Sequence, residues 1–544
     1  MFKKIWVLFI FSVFFVSTVF SQSLQTVAEK SRFTATSTSA EVLDFLHELQ
    51  KASREIRLTT IATSTEGKPI AMAILGTPPP ESPLQAKAFG KPIVYAEANI
   101  HPGEVEGKEA MLALMRDILL GNRHMLIENQ ILLLVPDFNP DGNDKISKTH
   151  RTNQVGPKQG VGVRQNGQDL DLNRDFVKLE TPEVTGLVQN VWNRWDPMLF
   201  VDMHTTNGSD HREPLTWAGP HNPNMNPKIY KYVRQKMLPT IQKKLLTREN
   251  ITSLPYGYFK DRTNPNAGWV TFDYKARYST NYAGLRNRFS ILDENYAYAD
   301  YRTRIKVAYE FLREILRYTH DHGAEMQALI HHVDHETIDA GAKPDTAHSR
   351  FGTKIEALPF KKPLKIEGYD FTVITDSSGK KIYQKLPETK IYHPPFYGDF
   401  TITKSVPLPR GYILPVTVPE IIAKLRQHGI VVEKLDTLAI LRVQKFRFKK
   451  LFPSKWPFQG HWLTHASVTA KMETDTIPAG SYFVGMDQPL APLIATLLEP
   501  QSDDGLLVWN FFDRYLTAEW SRNLGIYPVL KVFDQPPGMR EIVR

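Results

Sequence analysis

The chain of 544 residues contains no cysteine. It can therefore form no disulfide, use no thiol nucleophile, offer no thiolate to a metal and carry no lipid on a cysteine. A strong excess of charge of one sign is also missing, because 67 basic residues stand against 58 acidic ones. The basic residues are spread out, with one local run at 445–450 that we interpret as a solvated face, so we expect no nucleic-acid partner.

Long apolar runs are scarce as well, and the first 21 residues contain the longest. Lys3 and Lys4 precede an apolar stretch from Ile5 to Phe20, and small residues lie near its end. This pattern is typical of a secretory signal, so we predict a signal peptide over residues 1–21 and a secreted or periplasmic mature protein. The stretch is shorter than the ~20 residues of a membrane-spanning helix. We therefore expect no stable membrane anchor after signal removal.

Strand-like and helix-like segments alternate from about residue 40 to residue 325, which indicates an α/β domain. The predicted strands are Ile70–Leu75, Ile93–Ala98, Ile131–Val135, Met198–Met203 and Phe289–Leu292. The predicted helices are Ala40–Arg54, Glu106–Leu120, Thr181–Trp195, Pro227–Leu246 and Tyr301–His320. Several histidines follow this last helix, and we interpret them as a helix end and an exposed loop rather than as a second metal site.

The residue pattern changes after about residue 340, where prolines and alternating aromatic residues appear. This change predicts an accessory region over 341–544 that is first β-rich and then α/β, following a catalytic domain over 22–340. The accessory region could cover a cleft, bind substrate or only stabilise the fold.

The strongest functional signal is His101-Pro102-Gly103-Glu104, which directly follows a predicted strand. A second histidine, His204, ends the predicted strand Met198–Met203. Two histidines and one glutamate are a ligand set of a catalytic zinc with one open position, and the zinc acidifies a water bound there. Functional sites of open α/β sheets lie at the carboxyl ends of strands, so the pattern favours metal-assisted hydrolysis.

Three further polar segments supply the other groups that such chemistry needs, namely a base for the water and a cation for the developing oxyanion. They are Pro136–Gly142, Asp169–Phe176 and Ile291–Tyr296. The first two are rich in turn residues or charge, and the third places carboxylates at a strand end.

These residues together resemble the zinc carboxypeptidase family of the carboxypeptidase A type, over about Gln22 to His320. The resemblance is carried by five elements in order, which are HPGE from His101, NPDG from Asn139, DLNRD from Asp171, the lone His204 and the strand-end Glu294. The stretch Asn281–Arg288 is also similar to bacterial secreted members. The resemblance implies a mixed sheet flanked by helices.

The resemblance also implies roles for individual residues. His101, Glu104 and His204 would hold one Zn²⁺, and Asp171 would orient His101. Glu294 would take a proton from the water and pass it to the leaving amine, while Arg151 would polarise the scissile carbonyl. Asn173 and Arg174 would grip the terminal carboxylate of a peptide substrate, since a guanidinium binds carboxylates in a bidentate fork. Arg164 lies in the same region as Arg151.

The sequence departs from the family pattern in two places. Asp175 replaces the more usual asparagine after Arg174, which adds negative charge near the carboxylate grip. The tyrosine that covers the substrate in the family has three candidates here, Tyr274, Tyr278 and Tyr282.

The resulting hypothesis is a secreted zinc metallopeptidase that hydrolyses an amide bond near the C-terminus of peptides. The first alternative is a zinc amidase or deacylase acting on cell-wall peptides or acylated amino acids. The second alternative is a secreted binding protein that keeps the fold without catalysis.

Overall fold

The computed structural model describes residues 24–206, 208–345, 347–516, 525–536 and 540–543. The predicted signal peptide lies outside these described residues. Before residue 300 the described chain forms the strands β1 (Ile56–Thr63), β2 (Pro69–Leu75), β3 (Ile93–Ala98), β4 (Ile131–Val135), β5 (Leu199–Thr206), β6 (Leu215–Ala218), β7 (Ser253–Pro255), β8 (Tyr258–Phe259), β9 (Trp269–Val270) and β10 (Phe289–Tyr296).

The helices lie before, between and after these strands. They are α1 (Val27–Lys30), α2 (Ser39–Ala52), α3 (Pro83–Phe89), α4 (Glu106–Leu119), α5 (Pro140–Asn143), α6 (Pro182–Leu187), α7 (Asn193–Trp195), α8 (Pro227–Tyr232), α9 (Leu238–Glu249), α10 (Ser279–Leu285), α11 (Tyr301–Ala342), α12 (Pro419–Gln427) and α13 (Ala491–Leu498). π-helical turns at Val188–Trp192 and Val233–Met237 join α6 to α7 and α8 to α9.

Eight of the strands form a mixed sheet in the order β1-β2-β4-β3-β5-β10-β6-β7. The central strands β4, β3, β5 and β10 run parallel. Every residue of these four strands is buried, because helices cover both faces of the sheet. Their carboxyl ends meet at one edge, and this edge carries the candidate site.

Alternate residues of the central strands enter two separate hydrophobic cores, as the two-residue period of a strand requires. Val94 and Ala96 of β3 pack with α2, α4 and α11, whereas Tyr95 packs on the opposite face with the helical segment around Trp192. This second core also contains Trp509 and other residues after position 340. The later region is therefore part of the same packed body as the main sheet.

The region after α11 is rich in strands. These are β11 (Arg350–Pro359), β12 (Ile366–Thr375), β13 (Lys381–Tyr392), β14 (Phe396–Pro407), β15 (Gly411–Leu414), β16 (Glu433–Leu435), β17 (Ala439–Pro453), β18 (Thr464–Ile477), β19 (Tyr482–Gly485), β20 (Ile526–Val532) and β21 (Arg540–Ile542). They form a hairpin of β12 and β13, a seven-stranded sheet in the order β18-β17-β20-β15-β19-β16-β21, and a four-stranded sheet in the order β11-β14-β9-β8. Because the four-stranded sheet takes strands from both sides of residue 340, the predicted boundary there stays a prediction.

The predicted fold class is confirmed: a mixed sheet flanked by helices is followed by a β-rich region. Strands β5 and β10 extend further than predicted, so His204 and Glu294 lie inside strands rather than after them. The predicted exposed loop after residue 320 is wrong. Helix α11 continues through it to Ala342, because Met326, Ile330 and Val333 prolong the buried apolar stripe.

The histidines in question lie on this extension of α11, and they are His320, His322, His331, His332 and His335. Among the helices that the structure describes, none has both the length and the apolar character needed to cross a bilayer.

Helix α11 packs closely against the region after residue 340 at Gly341. A Cβ placed on Gly341 would overlap the backbone carbonyl oxygen of Met486, which follows β19. In an exposed helix, Gly→Ala stabilises by up to about 1 kcal/mol. Here we expect Gly341→Ala to lower the free energy of unfolding by about 1–3 kcal/mol, because backbone atoms must move apart. Urea denaturation measures the sign, and a gain in stability would contradict this packing.

Candidate active site

The HPGE segment forms a tight turn at the carboxyl end of β3. Asn99, the residue after the strand, adopts the left-handed region with φ 65°. Its buried side-chain amide donates to Asp137 Oδ1 at 2.7 Å and to Asn143 Oδ1 at 2.9 Å. The backbone N–H of Glu104 then donates to the carbonyl of His101 at 2.8 Å. The turn therefore brings the side chains of His101 and Glu104 together just before α4.

His204 of β5 completes a cluster of three acceptors. Its Nδ1 lies 3.1 Å from His101 Nδ1 and 2.9 Å from Glu104 Oε2. His101 Nδ1 lies 3.3 Å from Glu104 Oε1. All three side chains are buried. Within the described part of the chain, this is the group of three such residues that could hold a metal ion.

The outer nitrogen of each histidine is held by a carboxylate. His101 Nε2 lies 2.9 Å from Asp171 Oδ1, and His204 Nε2 lies 2.9 Å from Asp202 Oδ2. A carboxylate accepts from the N–H of a neutral imidazole, so the proton stays on Nε2 and the Nδ1 lone pairs point into the cluster. The carboxylates thereby fix the ring orientation that metal binding requires.

This arrangement fits a zinc ion. The two imidazole lone pairs and the carboxylate lie within 3.3 Å of one another, and none of them is a hydrogen-bond donor. A bound cation would give all three acceptors a partner. Tetrahedral zinc at about 2.0–2.1 Å from its ligands separates the ligand atoms by roughly 3.3 Å, close to the distances seen here. Histidine and glutamate are also the ligand types of catalytic zinc sites.

Glu104 is held as an anion by its surroundings. Arg151 Nη1 lies 2.8 Å from Glu104 Oε1, and the backbone N–H of Thr205 donates to Oε2 at 3.0 Å. Burial alone would raise the pKa of Glu104, but the neighbouring side chains of His101 and Arg151 outweigh it and hold this pKa well below its ordinary value.

A cavity of about 440 Å³ opens beside the cluster. It is lined by His101, Glu104, Arg164, Asn173, Arg174, His204, Thr205, Tyr256, Phe272, Tyr278, Thr280, Leu292 and Glu294. Glu294 of β10 pairs in register with His204 of the parallel strand β5, so both side chains lie on the same side of the sheet. Burial raises the pKa of Glu294 to about 8. The cavity thus combines the three acceptors with a carboxyl group and two guanidinium groups.

The two arginines weighed for the oxyanion role lie in different places. Arg151 donates to Glu104 and, through Nη2, to the carbonyl of Thr205 at 3.1 Å, and it is not among the residues that line the cavity. Arg164 lines the cavity, and its Nε donates to Asp171 Oδ2 at 2.9 Å. The geometry therefore favours Arg164 over the predicted Arg151 as the guanidinium that faces a substrate.

The predicted carboxylate grip lies in the same cavity. Asn173 Nδ2 lies 3.4 Å from His204 Nε2, and Asn173 Oδ1 accepts from the backbone N–H of Ser279 at 2.9 Å. The guanidinium of Arg174 lies 4.5 Å from the centre of the Tyr278 ring. Of the three tyrosines considered, Tyr278 alone is among the lining residues.

The negative charge of Asp175 does not reach this grip. Asp175 is completely buried and pairs with Lys178 Nζ at 2.6 Å. It also accepts from the hydroxyl and the backbone N–H of Thr181 at 2.7 and 2.8 Å. The carboxylate is therefore compensated within its own loop, and it offers no repulsion to a bound substrate.

Sequence reasoning missed the partner of His204. Asp202 precedes it by two positions on β5, and residues two apart on a strand share a face. The Asp-x-His spacing in a predicted strand was therefore a usable signal. Tyr256 and Phe272, which also line the cavity, follow no pattern that the sequence displays.

Comparisons with known proteins agree with this geometry. Residues 42–194 match the zinc carboxypeptidase family model. The probable carboxypeptidase 2 of Arthroderma benhamiae is 22% identical over 430 residues, which cover 76% of this chain and 74% of the relative. Carboxypeptidase Z of Mus musculus is 30% identical over 141 residues, which cover 24% of this chain and 19% of the relative. The matched residues 42–194 are therefore similar to zinc carboxypeptidases, and the His-Glu-His group is the ligand set of a zinc-dependent metallocarboxypeptidase.

Solved structures with some likeness include a metallo-carboxypeptidase from Burkholderia cenocepacia, at 18% identity and a TM-score of 0.38, over 52% of this chain and 70% of that one. Carboxypeptidase A from Helicoverpa armigera, at 16% identity and a TM-score of 0.38, covers 54% of this chain and 75% of its own.

The support of His101 by Asp171 can be tested separately from the ligands. We expect Asp171→Asn to weaken zinc binding by about 10–100-fold, because the amide no longer fixes the Nε2 proton or raises the basicity of Nδ1. Competition with a chelator measures the affinity. Asp169→Asn, an exposed position in the same loop, is the matched control and should bind zinc as the parent does. Equal affinities of the two variants would contradict the role of Asp171.

Proposed function

We propose that the mature protein is an exported zinc carboxypeptidase that hydrolyses an amide bond near the free carboxyl end of peptides. The observation that carries this proposal is one cavity in which the three acceptors, Glu294, Arg164 and Arg174 all meet. His101, Glu104 and His204 would hold the zinc. When bound, zinc lowers the pKa of a water molecule and polarises a carbonyl group.

Glu294 serves as the general base and acid. It stands beside His204 on the neighbouring strand, so its carboxylate reaches the same space that the three ligands face. It accepts a proton from the attacking water and later donates it to the leaving amine. Burial favours the protonated form of this carboxyl group, which suits the second step, while the positive charges around it favour the ionised form required for the first.

Arg164 stabilises the negative charge that develops on the carbonyl oxygen. Its guanidinium lines the cavity, and its Nε and Nη2 both lie 2.9 Å from Asp171 Oδ2, so the Nη1 end, 3.5 Å from Glu104 Oε1, is the part that can reach a substrate. Arg151 instead keeps Glu104 ionised and in place. In this proposal Arg164 takes the role of polarising the carbonyl that the sequence assigned to Arg151, and Arg151 supports a zinc ligand.

Arg174 and Asn173 bind the terminal carboxylate of the substrate. A guanidinium in the same cavity as the hydrolytic groups selects substrates with a free carboxylate at a fixed distance from the cleaved bond. This supports cleavage of peptides from the C-terminus over deacylation of an amide that lacks such a group. The signal-like residues 1–21 support export, either to the periplasm or to the medium.

The test compares the purified mature chain with Glu294→Gln on a peptide and its C-terminal amide. We expect both proteins to hold about one zinc, and the variant to lose about 10²–10⁴-fold in kcat, since the amide cannot carry the proton. The parent should release the last residue of the peptide acid and leave the peptide amide nearly untouched.

Each other outcome would overturn a part of the proposal. Zinc without release of any residue from peptides would favour the amidase. Zinc with no turnover of peptides or acylated amino acids would favour a binding protein. A Glu294→Gln variant of full activity would remove Glu294 from the chemistry.

The different roles of Arg164 and Arg151 can be tested by replacing each of them. Arg164→Ala should lower kcat by about 10²–10³-fold and leave the zinc affinity nearly unchanged, because it removes a donor to the oxyanion. Arg151→Ala should instead weaken zinc binding, and at saturating zinc it should keep kcat within about tenfold of the parent. Steady-state kinetics with a zinc titration compare the two. The reverse pattern would restore Arg151 as the oxyanion residue.

A further inference from the structure

One loop contributes to the cavity wall, and residues after position 340 bind this loop. This loop, residues 273–278, precedes α10 and ends in Tyr278. Arg277 of the loop binds Asp504: its backbone N–H donates to Oδ2 at 2.8 Å, and its Nε and Nη2 lie 2.8 and 2.6 Å from Oδ1. Both side chains are buried, with 7% of Arg277 and 1% of Asp504 exposed.

The preceding residue, Asp503, holds the other part of the loop. Lys275 Nζ lies 2.5 Å from Asp503 Oδ2, and the hydroxyl of Tyr274 donates to the same carboxylate. We call Asp503 and Asp504 the aspartate clamp. Two consecutive carboxylates thus bind three of the loop's side chains.

Aromatic residues fix the clamp itself. Trp509 Nε1 donates to Asp504 Oδ1 at 3.1 Å. The guanidinium of Arg277 lies 4.7 Å from the Trp509 ring and 5.2 Å from the Phe458 ring. The pair is therefore desolvated and held on several sides, a setting in which an ion pair has one geometry and its loss is costly.

The loop also contacts Arg174 and Asn173, the two residues of the carboxylate grip. Tyr278, next to Arg277, lies against the guanidinium of Arg174 at 4.5 Å. The backbone N–H of Ser279 donates to Asn173 Oδ1 at 2.9 Å, and its hydroxyl donates to Asp202 Oδ2 at 2.5 Å. Through three consecutive residues the clamp reaches both members of the grip and the carboxylate that supports His204.

We propose that the aspartate clamp is a positioning element for the carboxylate-binding end of the active site, and that Asp504 acts through Arg277 on Tyr278, Asn173 and Arg174. The accessory region is then required for recognition of the C-terminus, although none of its residues that the structure describes lines the cavity. This inference rests on the proposed function, because the clamp matters to catalysis only if the grip binds a terminal carboxylate.

The test uses the full mature chain with Asp504→Asn and the same peptide acid and amide. We expect KM for the acid to rise about tenfold, with kcat within about threefold and about one zinc retained, because the grip loosens while the ligands and Glu294 stay in place. The ratio of kcat/KM for acid over amide should fall by about tenfold. A role in stability alone would not move this ratio.

The matched control is Asp196→Asn. Asp196 also pairs with a buried arginine, Arg288, at 2.8 and 2.7 Å, but it lies before β5, at the opposite end of that strand from His204. We expect this variant to lose stability in thermal unfolding while it keeps KM and the acid-to-amide ratio of the parent.

Asp503→Asn is a second test of the clamp, to be used if the Asp504→Asn variant does not fold. The Asp503 side chain is 28% exposed, so this change is tolerated more easily, and KM should rise about threefold in the same direction. Unchanged KM and ratio in the folded clamp variants of an active enzyme would overturn the clamp alone. A parent without turnover of peptide acids would overturn the proposed function and the clamp with it.

Discussion

The structure depends on one electrostatic constraint, which is that three acceptors must face one another in a buried space. The two Nδ1 atoms and the Glu104 carboxylate have no donor among them, and they stay together because each is held from behind. Asp171 and Asp202 bind the outer nitrogens of the histidines, while Arg151 and the Thr205 amide bind Glu104. The protein thereby keeps a cation site assembled at the expense of local repulsion.

The parallel sheet supplies the precision that this constraint requires. His204 and Glu294 are separated by 90 positions in the chain, yet the register of β5 and β10 places them side by side. His101 follows β3, the other neighbour of β5, so ligands and base come from three adjacent strands of one sheet. Strands buried on both faces cannot slip without exposing two cores, and this rigidity fixes the site.

The region after residue 340 is joined to this sheet at several levels. It contributes residues to one of the two cores, strands to the four-stranded sheet and the aspartate clamp to the loop before α10. Gln459 even accepts a hydrogen bond at 2.8 Å from the backbone of Asp171, the residue that supports His101. The accessory region therefore belongs to the supporting structure of the site as well as to the fold.

The sequence by itself determined the strands and helices whose periodicity is strong, the zinc ligand types and the order of the family motifs. These features are local, because they depend on apolar spacing, turn residues and the chemistry of single side chains. Tertiary structure alone decided which arginine faces the cavity, which of three tyrosines lines it, and that Asp175 is neutralised by Lys178. It also decided the length of α11 and the contact of Asp504 with Arg277. The contact of Asp504 with Arg277 joins groups that are distant in the chain. The roles of the arginines, the tyrosines and Asp175 depend on the direction in which each side chain leaves its loop, and local spacing does not encode that direction.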